Sequence, residues 1–505
     1  MNRLYFGDNL EILREMDDER VHLICTDPPF NSGRDYNSFI GDSLAQKKAF
    51  TDTWTWDTAA QDARADVERR AHTCDTYKAL DECLKGYDLV LRRAVSGNKG
   101  AMRAYLAFMG PRLAEMHRIL APTGSIYLHC DPTASHYLKG IMDAIWDQDN
   151  RKKNEFFRNE IVWCYRGAGY PKKDFGKRHD IILRYSSGPQ YIFNLDDVRE
   201  EYAEATIQRF KHHIGNKRKQ GDFGVQKLNP LGKHPDDWWQ IQPIAPSSKE
   251  RLGYPTQKPL TLYERMIKAS SNEGDIVLDP FCGCGTTIDA AHTLKRQWIG
   301  VDITILALDP MRQRLKDRHG LEPSIDYQIE GYPTNMQEVR KLLKEGDKRK
   351  YHDFSNWAVT RLGLKPTRDV SDGGHDGFGH ATLWNPQQMK ETDARILAEV
   401  KTGKPTLTQV RAFCQVMNQN NAEIGIFITI EPVSAGMRQQ AEEMGTFEHN
   451  KQTYPRLQFW QLDDAYFENP ASINTLVRLP AEWRIRATQK SERHFEDQQI
   501  QLLRG

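Results

Sequence analysis

The sequence predicts an α/β protein built from two units, and three observations predict it. Short apolar runs recur between helical patterns, as in Val21-His22-Leu23-Ile24-Cys25, Ser125-Ile126-Tyr127-Leu128-His129-Cys130 and Ile276-Val277-Leu278. Such alternation builds a parallel sheet covered by helices. The chain has 505 residues, more than one hydrophobic core normally serves, so two or more domains are expected. A highly charged helical stretch, 336–350, then separates a first unit, 1–335, from a second, 351–468, which a polar tail, 469–505, follows.

In the first unit Leu4-Tyr5-Phe6 reads as a strand, Asn9 to Glu15 as a helix and Val21 to Cys25 as a strand. A polar, charge-rich helical insertion follows over about 47–116, then the buried strand Ser125–Cys130, ending at Asp131-Pro132. From about 156 to 248 the rhythm fails, and aromatics, glycines and basic residues mix. It resumes with a helix from Leu260 to Ser271, a strand at Ile276–Leu278, a helix from Thr286 to Leu294 and a strand at Trp298–Val301. In the second unit a helix is expected from Phe354 to Leu362, with strands at Ile396–Val400 and Ile424–Ile430.

Composition narrows the function less than the motifs do. Lysine plus arginine (70) and aspartate plus glutamate (69) nearly cancel, so nucleic-acid binding must be sought in local patches. No run of 18 apolar residues occurs, and no membrane partner is expected. The first residues enter a strand pattern without a signal-peptide pattern, and eight cysteines lack disulfide or zinc-finger spacing. A cytoplasmic location is therefore the expectation. Cys282 and Cys284 stand too close together, without further ligands nearby, to make a zinc site.

Two motifs carry the chemistry. Asp27-Pro28-Pro29-Phe30 ends the second strand. An exocyclic amine is a poor nucleophile because its lone pair is delocalised into the ring. The Asp27 carboxylate and the Pro28 carbonyl are two acceptors for its hydrogens in one turn made rigid by proline. Phe30 offers a face for a base, which would have to leave the duplex to arrive there. The plainer alternative is a proline-rich turn that ends a strand.

The second motif is Asp279-Pro280-Phe281-Cys282-Gly283-Cys284-Gly285-Thr286-Thr287. A strand, a glycine turn and a helix bring backbone N–H groups to a ligand, and Gly283 and Gly285 permit close approach. Asp302 ends the next strand about twenty residues on, where an acid holds ribose hydroxyls. The alternative is an ordinary strand–helix turn. Together the motifs suggest methyl transfer from S-adenosylmethionine to a nucleobase amine.

On these residues the chain resembles an amino-directed DNA methyltransferase of the permuted β group, with DPPF at 27–30 first, the basic-aromatic stretch next and FCGCG at 281–285 last. The resemblance covers roughly 1–335. It implies a Rossmann-like S-adenosylmethionine-dependent domain with an inserted target-recognition region over about 156–248. It implies that Asp8, in Gly7-Asp8-Asn9, contacts the cofactor adenine. Thr256, Gln257, Lys258 and Pro259, after Tyr254-Pro255, are implied to line its methionine end, with Asp279, Phe281, Gly283, Gly285, Thr286, Thr287 and Asp302 around the rest. Phe30 stands where the family more often has tyrosine, which keeps the stacking face. Asp27 at the first motif position favours adenine N6 over cytosine N4, the latter remaining the alternative.

Double-stranded DNA is the expected partner. Its phosphate contacts are sought at Arg209, Lys211, Lys217, Arg218, Lys219, Lys227 and Lys233, a run containing one acid, Asp222. Trp163, Tyr165, Tyr170, Trp238 and Trp239 lie around it. A solvated lysine-rich loop is the alternative. A monomer and a homodimer both stay open.

In the second unit Ser371-Asp372-Gly373-Gly374-His375-Asp376-Gly377 precedes Ala398-Glu399-Val400-Lys401 by a hairpin's length. Asp376 and Glu399 could share a Mg²⁺ ion, with Lys401 on the same strand face orienting a water. This resembles the PD-(D/E)xK nucleases of the Mrr-like branch and implies a fused restriction activity. His375 stands where that turn is usually aliphatic. The alternative is a unit that only binds DNA or a partner.

Overall fold

A computed structural model gives the architecture. It describes residues 2–462 except 31–34, 40–45, 52–53, 94–98, 147–155, 168–170, 211–226, 246, 249, 253–255, 303–304, 332–335, 345–350, 352–353, 356–357, 360–363, 368–373, 386–389 and 450–451. Lys211, Lys217, Arg218, Lys219, Tyr170, Tyr254, Pro255, Asp372 and the tail 469–505 lie outside the described residues.

The strands in chain order are β1 (Asn2–Phe6), β2 (Val21–Thr26), β3 (Asp35–Phe39), β4 (Gln46–Thr51), β5 (Leu120–Cys130), β6 (Phe157–Cys164), β7 (His179–Ser186), β8 (Trp238–Gln240), β9 (Ile276–Asp279), β10 (Gln297–Asp302) and β11 (Tyr327–Glu330). Nine of them form one sheet, in the order β11-β1-β10-β9-β2-β5-β7-β6-β8. The six strands from β11 to β5 are parallel, and β7 then runs antiparallel to both β5 and β6.

Both faces of this sheet are covered, which is why its central strands are apolar almost throughout. On β2, Leu23 and Cys25 face one core and Ile24 the other; on β9, Val277 and Leu278 divide in the same way. Each fully buried aliphatic side chain of this kind contributes about 1.5–3 kcal/mol. Helices Leu260–Ser270 and Thr286–Thr293 supply Met266, Ile267, Ile288 and Ala291 to the first core. Helices Thr58–Arg70, Asp75–Arg93 and Lys99–Ile119 supply Val67, Leu80, Tyr105 and Met109 to the second.

Two expectations need correction. The insertion begins as a hairpin, β3 with β4, before its helices. Strands β6 and β7 belong to the central sheet, so Phe157–Cys164 and His179–Ser186 are part of the scaffold rather than of an inserted region. In β6 only Ile161 and Trp163 are buried, alternating with the half-buried Val162 and Cys164, the pattern of a sheet margin with one face wet, whereas β7 is buried from Ile181 to Ser186.

The second unit has its own sheet, β12 (Lys365–Pro366), β13 (Gly377–Asn385), β14 (Lys390–Lys401), β15 (Ile424–Thr429) and β18 (Leu457–Gln461), with a hairpin of β16 (Thr446–His449) and β17 (Gln452–Pro455) beside it. β13 and β14 are antiparallel; β14, β15 and β18 are parallel. The helix Leu407–Gln419 starts with a capping box, Thr406 to Gln409, and buries Val410, Phe413 and Met417. Among the described residues no helix is long and apolar enough to cross a membrane.

Candidate active site

β2 and β9 are neighbours, with Ile24 opposite Leu278. Asp27 follows the end of the first and Asp279 ends the second, so two motifs some 250 residues apart in sequence emerge side by side at the carboxyl edge of the sheet. The sheet's connections diverge there, and ligands of open α/β sheets bind at such a point.

Asp27 is gripped on both oxygens. His129 Nδ1, from the end of β5, lies 2.8 Å from Oδ1, and Lys258 Nζ donates to Oδ2 at 2.5 Å. His129 is buried, and its Nε2 faces Asp180 of β7 at 3.4 Å, an ion-pair distance without hydrogen-bond geometry. Burial alone would push the Asp27 carboxyl up, but Lys258 and His129 together hold it below the usual carboxylate range. Burial likewise pushes the imidazole down, and the Asp27 carboxylate outweighs it, leaving His129 above its ordinary value. Lys258 Nζ also sits 5.0 Å over the Phe30 ring, whose centroid is 4.9 Å from that of His129. The result is an ionised, immobilised carboxylate with lone pairs left over: a carboxylate offers about four acceptor sites, and two are engaged.

The glycine turn adjoins this pocket. Gly283 (φ 50°) and Gly285 (φ 77°) adopt the left-handed conformation. Gly283 N donates to Asp302 Oδ2 at 2.8 Å, fixing the acid at the end of β10 against the turn. Asp279 is buried, and burial pushes its carboxyl up to about 7, although Thr287 Oγ1 and Phe281 N both donate to it. Asp8 caps the helix Asn9–Glu15 through Leu10 N and takes Arg112 Nη2 at 2.7 Å. Arg112 also donates to Asn9 Oδ1 and stacks over Phe108 at 3.5 Å. Phe108 in turn lies 6.2 Å from Phe281 and 4.6 Å from Trp54. Two acids, a glycine turn and aromatic side chains form a donor set that suits a nucleoside bearing a positive charge.

A model of the N6/N4 DNA methylase family matches residues 21–309, more than half of the chain. The chain belongs to that family. As a member it is a DNA methyltransferase that uses S-adenosylmethionine. It is 28% identical over 342 residues to the type II methyltransferase M.HpaI of Haemophilus parainfluenzae, covering 67% of this chain and 82% of that one. It is 26% identical over 301 residues to the DNA adenine methyltransferase YhdJ of Escherichia coli K12, covering 59% and 76%. Among solved structures, the cytosine-N4-specific PvuII DNA methyltransferase aligns with a TM-score of 0.38 at 16% identity, over 63% of this chain and 88% of that one.

Within this methyltransferase several of the expected site residues have partners inside the protein. Lys258, expected at the methionine end of the cofactor, reaches the Asp27 carboxylate; its neighbour Pro259 is the N-cap of the helix Leu260–Ser270. Gln257 bonds Leu252 N and Glu250 O, holding its own loop. The Thr287 hydroxyl is engaged by Asp279, and Thr286 Oγ1 accepts from Arg314, both buried. Thr256 is exposed, with φ 60°. Lys233 is paired with Glu200 and Asp236 and secures a bridge to residue 200, so a phosphate would have to displace two carboxylates. Of the other described cations in that run, Arg209 lies exposed in the last turn of the helix Glu204–Phe210, and Lys227 is exposed.

His129, Asp180 and Arg112 were not read from the sequence as site residues. His129 carried one signal, a histidine at the end of a buried strand beside Asp131-Pro132.

In the second unit Asp376 Oδ2 accepts from the backbone N of Val400, the residue between Glu399 and Lys401 in sequence, at 2.7 Å; Lys401 Nζ bonds Glu399. No cluster of three or more metal-ligating side chains occurs among the described residues. His375 is buried, and its carbonyl accepts from Thr367 Oγ1.

Proposed function

We propose that this methyltransferase acts on adenine N6 in DNA and that Asp27, Pro28, Pro29 and Phe30 form the amine pocket. The observation that carries the reading is the Asp27 carboxylate held between His129 and Lys258. S-adenosylmethionine supplies an electrophilic methyl group when bound. Asp27 and the Pro28 carbonyl accept the two amine hydrogens and draw the nitrogen lone pair out of conjugation. His129 and Lys258 keep Asp27 oriented and weakly basic, suited to accepting hydrogen bonds rather than retaining a proton. Lys258 covers one part of the Phe30 ring, and the base stacks on the remainder. Asp8, Phe281, Gly283, Gly285 and Asp302 would hold the cofactor, with Asp279 setting the turn.

The adenine choice is supported by Asp27 in the first motif position and by the likeness to YhdJ, an adenine methyltransferase. Digestion of DNA treated with the enzyme, followed by nucleoside mass spectrometry, tests it. N6-methyl-2′-deoxyadenosine is expected; N4-methyl-2′-deoxycytidine would reassign the base.

A second reading concerns the other unit. We propose that Asp376, Glu399 and Lys401 form a Mg²⁺-dependent nuclease site. Support comes from the Asp376–Val400 hydrogen bond, which ties Asp376 to the strand that carries Glu399 and Lys401, and from the Lys401–Glu399 contact.

A further inference from the structure

Phe175 is the most exposed large apolar side chain among the described residues, at 94%. It lies in the connection between β6 and β7. Arg166, Lys172, Lys173 and Lys177 are exposed beside it. The one acid between residues 166 and 178, Asp174, is engaged locally, its Oδ1 accepting from Phe175 N at 2.8 Å. The base of the loop is fixed: Tyr165 N donates to Arg178 O at 3.0 Å. The Arg178 guanidinium lies so close to Gly167 that an added Cβ there would stand 3.2 Å from its carbon.

This loop springs from the edge of the sheet that carries the amine pocket. Asp180, two residues beyond Arg178, faces His129, which holds Asp27. Trp163, two residues before Tyr165, packs against the His129 ring at 5.4 Å. Phe175 is three residues from the loop's fixed base, a reach of up to roughly 10 Å. A single exposed apolar side chain means little. Here it is flanked in sequence by the exposed cations Lys172, Lys173 and Lys177, in a loop rooted next to the proposed amine pocket.

We propose that residues 171–178 of the β6–β7 connection form a DNA-contacting arm in which Lys172, Lys173 and Lys177 meet phosphates and Phe175 enters the base stack where the target base has left. Extruding a base leaves its neighbours unstacked. An aromatic ring replaces that stacking without reading sequence, and apolar wedges between base steps act in the same way. The proposal rests on the reading of Asp27 as the amine pocket.

The test uses the full chain, tritiated S-adenosylmethionine and unmethylated bacterial genomic DNA. Phe175→Ala should lower kcat/KM for DNA about tenfold or more, the range expected for one lost stacking contact. KM for S-adenosylmethionine and the unfolding temperature should stay unchanged, since the side chain packs on almost nothing, and Phe175→Trp should restore the rate. Replacing Lys172, Lys173 and Lys177 together by alanine should reduce the log–log salt slope of duplex binding by about 2.7, at about 0.9 per phosphate contact. Wild-type methylation by Phe175→Ala, or an unchanged slope in the triple variant, overturns the arm. So does a Phe175→Ala effect on sedimentation without one on methylation, which would mark a protein contact. If the wild type methylates but Asp27→Ala does so equally well, the pocket reading fails instead, and the salt slope still decides whether the loop meets DNA.

Discussion

At the scale of single residues, the Asp27 carboxylate is the group on which the pocket turns. Asp27→Ala should reduce methyl transfer by about 10²- to 10³-fold, as when one preorganised electrostatic group is lost, with cofactor affinity preserved in calorimetry. Lys258→Met keeps the carboxylate but removes a cation that lowers its pKa. The acid limb of the kcat profile should then move to higher pH; an unmoved limb would refute the role given to Lys258. Asp279 provides a stability test of opposite sign. Its carboxyl titrates near 7 in the fold, against an ordinary 3.8. Between those values the folded chain binds more protons than the unfolded one, so stability falls as pH rises through this window. Asp279→Asn, which does not titrate, should show a shallower decline in melting temperature from pH 4 to 7 than the wild type. Asp27 itself was legible because its motif is contiguous. Its partners were not, because His129 and Lys258 stand 102 and 231 residues away and only the sheet brings them together.

At the scale of elements, the turn after β9 is constrained from two sides. Gly285 has φ 77°, and a Cβ there would lie 2.5 Å from Met311 Cγ on the helix Ile305–His319. Gly285→Ala should therefore cost about 1–2 kcal/mol for the left-handed backbone and more for the clash, and it should weaken S-adenosylmethionine binding. Adding Met311→Ala should recover the clash part alone, so the double variant should melt between wild type and the cost expected for independent changes. Equal melting of Gly285→Ala and wild type would contradict this geometry. Most strands legible in the sequence carry nearly continuous apolar runs, β2, β5, β9, β10 and β15; β1 and the end of β14 were legible too, from the short runs Leu4–Phe6 and Ile396–Val400. β6 escaped notice because only Ile161 and Trp163 are buried in it. β3 and β4 are polar and gave no alternation to read.

At the scale of the whole molecule, two sheets of different topology share one chain, and the second carries Asp376, Glu399 and Lys401. If these act as proposed, Mg²⁺ should support DNA cleavage by the full chain, and Asp376→Ala or Lys401→Ala should abolish it while leaving methylation unchanged. Wild type that cuts neither modified nor unmodified DNA under any divalent ion would leave this unit a binding module. The order of strands in the first sheet also bears on how the protein comes into being. β10 and β9 lie between β1 and β2, with Leu4 beside Gly300 and Leu23 beside Val277. A ribosome that has delivered β1 and β2 must add some 270 more residues before those gaps close, roughly a quarter of a minute to a minute at typical elongation rates. Throughout that interval the nascent chain displays two apolar strands with unsatisfied edges. This enzyme should therefore lean on chaperones that shelter early segments, and a message broken before the codon for Ile276 should yield only material for proteolysis.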